Sequence, residues 1–175
     1  SNCDGLTTVE IPSNVVELGD SVFANCDYLK TVQLPDGLTK IKAGAFRNCI
    51  NLKNINIPVS LTECSSDSTG KGMFSGCSKL TSLEIPMGMT IIPEDMLFEA
   101  AALQTIVVPD SVTTIKSNAF GACSSLVHIW ISNNTTNIAA DAFVHCDALT
   151  IHGVAGSQAQ TYAQNQNIPF STDPL

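Results

Sequence analysis

The stretch "CDYLKTVQLPDGLTKIKAGAFRN", residues 26–48, decides the fold because the same text recurs along the chain. A second clear copy is "AAALQTIVVPDSVTTIKSNAFGA" at residues 100–122, and the shared pattern is C-x-x-L-x-x-I-x-I-P-x-x-V-x-x-I-x-x-x-A-F-x-x. Its cysteine position falls at residues 3, 26, 49, 77, 123 and 146, with Ala100 in the remaining copy. The period is therefore 23 residues with one insertion of five, and the insertion, within residues 65–72, predicts a surface loop.

A fixed period of this length predicts a solenoid, because one coil cannot bury its apolar residues alone whereas stacked coils share a core. Within L-x-x-I-x-I, the second and third apolar residues should point inward along a strand, and proline then ends the strand. Strands stacked at ~4.8 Å form a parallel sheet on one side. V-x-x-I should lie on the returning side, and A-F should fill the core near a short turn or helical turn. We expect about six coils over residues 1–152.

Departures from the pattern are few. Met96, Leu97 and Phe98 replace A-F in the fourth coil, so either Leu97 or Phe98 fills the aromatic position. Ser132 replaces proline in the sixth coil, which allows the strand bearing Trp130 to run one residue further. The recurring cysteines, which stand beside core leucines, are expected to be buried, inert thiols that touch backbone groups.

The end of the chain, residues 153–175, is expected to cap the array. In "GVAGSQAQTYAQNQNIPF", Ser157 is a candidate helix N-cap, and Ala159, Tyr162 and Ala163 are spaced to lay one apolar face on the last coil. "NIPF" can then return as a short extended piece. Because the N-terminus starts inside a repeat, we expect this chain to be the C-terminal part of a longer protein, or an unseen segment to precede it.

The pattern "L-x-x-I-x-I-P" followed by "A-F-x-x-C", over residues 3–149, resembles the BspA-like leucine-rich repeat proteins of bacteria. Residues 153–170 resemble the segment with which many of these proteins end their array. The resemblance implies a leucine-rich-repeat solenoid, mostly β, with right-handed coils. It also implies a location at or beyond the cell surface and a role in adhesion to host proteins, such as extracellular-matrix or cell-surface proteins, or to other cells.

The outward positions of the predicted strands form two columns of exposed side chains. They contain Thr8, Thr31, Asn54, Ser82, Thr105, His128 and Thr150, and Glu10, Gln33, Asn56, Glu84, Val107, Trp130 and His152. This register assumes that the cap strand has lost one residue, so that Ile151 points inward. Trp130, the only tryptophan, then faces out between Val107 and His152, as a binding anchor would. The candidate binding residues are Trp130, His128, Val107, Thr105, His152, Glu84 and Asn56.

Composition and motifs exclude several classes of function. A net charge of −8 argues against nucleic acid and anionic membranes as partners, and no apolar run reaches the ~20 residues of a membrane helix. The seven cysteines include no C-x-x-C pair and no zinc-ligand spacing, and the three histidines suggest no catalytic constellation. We therefore expect no enzyme activity, catalytic residue, metal site or cofactor.

These observations favour a recognition module that binds a protein through the outer face of its sheet. Two alternatives remain open. The chain could be a structural spacer without a ligand of its own, or it could bind carbohydrate by stacking on Trp130. Trp130 could also pack flat against its neighbours, or the cap could fold over it.

Overall fold

The computed structural model describes residue 3 and residues 5–65 and 72–175, so most of the expected loop at 65–72 lies outside the described residues. The described part contains fourteen strands and one helix. They are β1 (Thr8–Glu10), β2 (Glu17–Leu18), β3 (Thr31–Gln33), β4 (Lys40–Ile41), β5 (Asn54–Ile55), β6 (Glu63–Cys64), β7 (Ser82–Leu83), β8 (Ile91–Ile92), β9 (Thr105–Val108), β10 (Thr114–Ile115), β11 (His128–Ile131), β12 (Asn137–Ile138), β13 (Thr150–His152), α1 (Gln158–Gln166) and β14 (Phe170–Ser171).

The odd-numbered strands from β1 to β13 lie side by side, and the side they form is called the front face. Their pairing is parallel, and each residue faces its repeat equivalent, as Thr8 faces Thr31 and Asn54 faces Ser82. β9, β11, β13 and β14 form one continuous ladder. The predicted leucine-rich-repeat solenoid is confirmed, with about seven turns rather than six because β13 adds a further strand in register.

The even-numbered strands from β2 to β12 form a second side, called the returning side. They pair in parallel as β2-β4-β6 and β8-β10-β12. The sequence predicted a returning side but not these strands, whose two-residue length gives little alternation to detect. The final residue of most of these strands, such as Ile41 and Ile115, is buried, so this side also supplies the core.

The aromatic position of each coil fills the third side of the core. Phe23, Phe46 and Phe74 stack with ring centroids 5.5 Å apart, and Phe120 stacks on Phe143 at 5.1 Å. Leu97 fills the position between these two stacks: it is fully buried, and its amide donates to the Ala119 carbonyl as the Phe74 amide does to that of Met96. The A-F position of the fourth coil is therefore Leu97, and Phe98 lies half-buried beside it.

The residue before each cysteine position occupies a left-handed turn. Asn25, Asn48, Gly76, Glu99, Ala122 and His145 have φ between 55° and 75°. The amides of the first five bond to the next coil, as when Ala122 donates to the Val144 carbonyl at 2.7 Å. His145 is exposed on this repeating turn, which a left-handed φ makes favourable for Gly and Asn.

The cysteine column is buried as predicted. Cys26, Cys49, Cys77, Cys123 and Cys146 are buried free thiols. The Cys77 thiol donates to the Phe46 carbonyl at 3.1 Å, and Cys49, Cys123 and Cys146 make equivalent bonds at 3.1–3.2 Å. Burial raises the pKa of the Cys49 thiol to about 12 and also raises the pKa of Cys77, so these thiols resist forming the reactive thiolate.

The cap forms as the sequence predicted. The Ser157 hydroxyl accepts from the Gln160 amide at the start of α1, and Ala159, Tyr162 and Ala163 are buried. Tyr162 lies edge-on to Phe143 at 5.7 Å, and its hydroxyl donates to the Ala140 carbonyl at 3.1 Å. β14 then pairs with β13 in parallel and extends the front face.

Candidate functional site

The front face is built by alternation along each strand. In β9 and β11 the inward residues Ile106, Val108, Ile129 and Ile131 are almost completely buried. The outward residues stand in the predicted columns, with His128 opposite Thr105 and Thr150, and Trp130 opposite Val107 and His152. The sequence therefore predicted both the direction and the register of these side chains.

A groove of about 750 Å³ crosses the middle of the front face, over β5, β7 and β9. Its lining includes Asn56, Glu84, Thr105 and Val107. The structure thus brings together four of the seven predicted binding residues, all of them exposed. The volume lies in the range typical of ligand clefts, and this surface is called the groove below.

Two groove residues escaped the sequence interpretation. Val59 and Met87 line the groove with side chains 80% and 78% exposed, beside Val107 at 53%. Each follows the proline that ends a front-face strand, a position filled elsewhere by Ser13, Asp36, Asp110 and Asn133. A change from polar to apolar at one repeat position, in two adjacent coils, is the sequence signal that identifies them.

Three carboxylates around the groove form no ion pair with any residue that the structure describes. Asp36, Glu84 and Asp110 are exposed, and within the described ranges none of them forms an ion pair. The ion pairs observed there lie on the returning side, between Lys42 and Glu17 at 2.7 Å and between Lys40 and Glu63 at 3.0 Å.

The other three predicted binding residues form a separate cluster at the C-terminal end of the front face. His128 Nδ1 lies 3.0 Å from His152 Nε2, and His152 Nδ1 lies 2.9 Å from the Asp173 carbonyl oxygen. Because a carbonyl only accepts, Nδ1 of His152 is the donor to Asp173, and in the neutral ring Nε2 of His152 then accepts from His128 Nδ1. This cluster, with Trp130 and the tail 170–173 beside it, is called the covered end.

The tail corrects one expectation. His152 was predicted to be exposed, but it is only 7% exposed, because the tail after β14 turns over its ring. Ser171 and Asp173 hold this turn: the Ser171 hydroxyl donates to the Asp173 carboxylate at 3.1 Å and accepts from the Asp173 amide at 3.0 Å. Trp130 and His128 are half-buried.

The expectation of a longer strand at Ser132 is wrong. β11 has four residues, the same as β9, which proline follows. Ser132 is buried, and its hydroxyl accepts from the Asn134 amide at 3.2 Å. The serine therefore ends the strand with a local turn in place of the proline ring.

The described part of the chain contains neither a cluster of metal-ligating side chains nor a helix that could span a membrane. Over residues 5–65 and 72–175, no three His, Cys, Asp or Glu side chains come together as a metal would need. No helix in those ranges is long and apolar enough to cross a bilayer.

Comparison with known families gives one match. The family described as "BspA type Leucine rich repeat region" matches the chain in six copies, over residues 1–68 and 64–163. It is a repeat family and indicates no catalytic activity. No protein of curated function is detectably similar in sequence.

Solved structures of bacterial proteins share the fold. A leucine-rich repeat protein of T. pallidum has a TM-score of 0.76 and 23% identity, covering 99% of this chain and 76% of that one. A leucine rich cell surface protein from Faecalibacterium prausnitzii has a TM-score of 0.57 and 22% identity, with 99% and 65% coverage. A leucine-rich repeat protein from Eubacterium ventriosum has a TM-score of 0.66 and 21% identity, with 79% and 42% coverage. At these identities the likeness shows the fold alone.

Proposed function

The chain belongs to the BspA-type leucine-rich repeat family, and we propose that it is a non-enzymatic recognition module that binds a protein partner through the groove on its front face. The observation that carries the proposal is the apolar surface of Val59, Met87 and Val107, which are exposed by 53–80% on the turns and the strand that line the groove. These exposed side chains do not stabilise the fold by packing in the core, and they release water when a partner covers them.

The make-up of the groove suits a protein partner. An apolar centre with a polar rim is the usual arrangement of a protein interface. Here the rim is supplied by Asn56, Glu84 and Thr105.

We place this recognition outside the cell or on its surface, which family membership supports together with the printed description of the F. prausnitzii protein as a cell surface protein. The partner class is then a protein met outside the cell, such as a host extracellular-matrix or cell-surface protein. The cluster around Trp130 is secondary in this proposal because the tail covers His152.

A binding screen tests the proposal. The wild-type chain is incubated with an array of extracellular-matrix and cell-surface proteins, beside a variant carrying Val59→Ser and Met87→Ser. The matched control is Val16→Ser, because Val16 is also exposed, by 58%, but lies next to β2 on the returning side. Circular dichroism first shows that all three proteins fold alike.

We expect at least one partner to bind the wild type and the control equally, and to bind the groove variant about tenfold less tightly, since each tenfold step is ~1.4 kcal/mol. Equal binding by the groove variant would move the site elsewhere. No binding partner among proteins of this class would favour the spacer hypothesis.

A further inference from the structure

We propose that the groove receives a cationic segment of the partner protein, one that carries basic side chains on both sides of an apolar anchor. This inference rests on the proposed function and names the chemistry of the partner. It is argued from how the apolar residues and the exposed carboxylates are arranged along one line of the front face.

The apolar anchor would dock on Val59 and Met87. These residues occupy the same repeat position in adjacent coils, so their backbones are ~4.8 Å apart, the spacing of neighbouring strands. Val107 extends this surface onto β9. Together they form a short apolar stripe that one or two leucine- or phenylalanine-sized side chains would cover.

Carboxylates lie at both ends of that stripe. Asp36 and Asp110 occupy the same post-proline position in the flanking coils, three coils and therefore about 14 Å apart. Glu84 stands on the rim between them, three residues before Met87. A segment lying along this line would meet a negative charge, then apolar surface, then a second negative charge.

The exposed lysines of the front face indicate which edge of that face the cationic segment would follow. The exposed Lys30 and Lys53 immediately precede β3 and β5, at the opposite end of the strands from the post-proline residues. A basic segment would be repelled by these lysines and attracted to the opposite edge, where the post-proline residues lie. The net charge of −8 adds a long-range field that speeds the approach of a cationic partner.

The test uses three matched sets of short synthetic peptides on the wild-type chain. In the first set Lys and Arg alternate with Leu and Phe; in the second Glu replaces each basic residue; in the third Ser replaces each apolar residue. Fluorescence anisotropy measures the dissociation constants. We expect the dissociation constants of the first set to be lower than those of either other set by about tenfold or more.

Charge reversal locates the attraction. The variant Glu84→Lys with Asp110→Lys should weaken the first set about tenfold, because like charges then face each other. The control, Asp27→Lys with Asp147→Lys, makes the same change in net charge at exposed turns away from the groove and should bind like the wild type. Raising ionic strength from about 0.1 M to about 1 M should also weaken binding, because the Debye length falls from ~10 to ~3 Å.

Several outcomes would overturn the inference. Equal weakening in both charge variants would assign the attraction to net charge alone. Preference for the acidic set, or no binding by any set, would contradict a cationic occupant. In those cases the protein array with the Val59→Ser, Met87→Ser variant still decides whether the groove binds a protein of another chemistry.

Discussion

The groove and the covered end lie on the same face and use the same two columns of side chains, yet only the groove is open to solvent. At the groove, Val107 is 53% exposed, whereas His152, two strands further along the same column, is 7% exposed. The difference arises from the tail, whose Asp173 carbonyl sits on the His152 ring. The repeat position of a residue therefore sets whether its side chain points out of the sheet, and the non-repeating tail sets whether that side chain is open to solvent.

The two regions also place apolar residues differently. The cap that carries the tail of the covered end also contains Tyr162, which packs against Phe143 and stabilises the last coil. At the groove, Val59 and Met87 project into solvent, where they add little to stability. Substitutions at the covered end should therefore lower the free energy of unfolding, whereas substitutions at the groove should weaken binding.

The largest effect is expected for Tyr162→Ala. Loss of this 5%-exposed ring from the cap should lower the free energy of unfolding by about 3–5 kcal/mol, the usual cost of truncating a buried aromatic residue. Urea titration measures it. Thiol alkylation gives a second readout: Cys146, close to the cap, should become labelled while Cys77 stays protected. A loss under 1 kcal/mol, within the range of surface changes, would mean that the cap does not seal the last coil.

A smaller effect is expected for His152→Ala. The substitution removes the bonds to Asp173 and His128 and should cost about 1–3 kcal/mol. Hydrogen exchange should accelerate at the amides of Ser171 and Asp173, while the amides of β5 and β7 keep their wild-type rates. Faster exchange across the whole front face would show instead that the tail and the groove unfold together.

The variant Trp130→Ala tests whether the groove or the covered end is the binding site. If the groove is the site, this variant should keep the affinity for the selected protein partner within about twofold of the wild type, whereas Met87→Ser should lose about tenfold. Surface plasmon resonance measures both. The reverse order of effects would return the binding site to the cluster of Trp130, His128 and His152.

The smallest effect is expected for Val59→Ser. Because this side chain is 80% exposed, its replacement should change the free energy of unfolding by no more than about 0.5 kcal/mol. Thermal denaturation beside Val16→Ser provides the matched measurement. A markedly larger loss at Val59 would indicate that the groove residue supports the fold and is not kept free for a partner.

Sequence reasoning predicted much of this molecule because the repeat averages out local ambiguity. Outward Trp130 and inward Ile151 follow from the repeat and are confirmed. The Ser157 cap was predicted from N-cap preference and is also confirmed. The strands of the returning side were not predicted, since two residues cannot show a period. Val59 and Met87 were overlooked although the post-proline column carried the signal. Binding by the candidate residues stays a prediction.

The sequence by itself determined the coil length, the inward and outward faces, the register between coils and the C-terminal cap. These follow from a period of 23 and from the burial of apolar residues at fixed positions within it. The tertiary structure alone decided that His152 is sealed by Asp173, and that Val59, Met87 and Val107 share one groove. The reason is physical: burial at these positions depends on which distant segments come within contact, and a local pattern does not encode that distance.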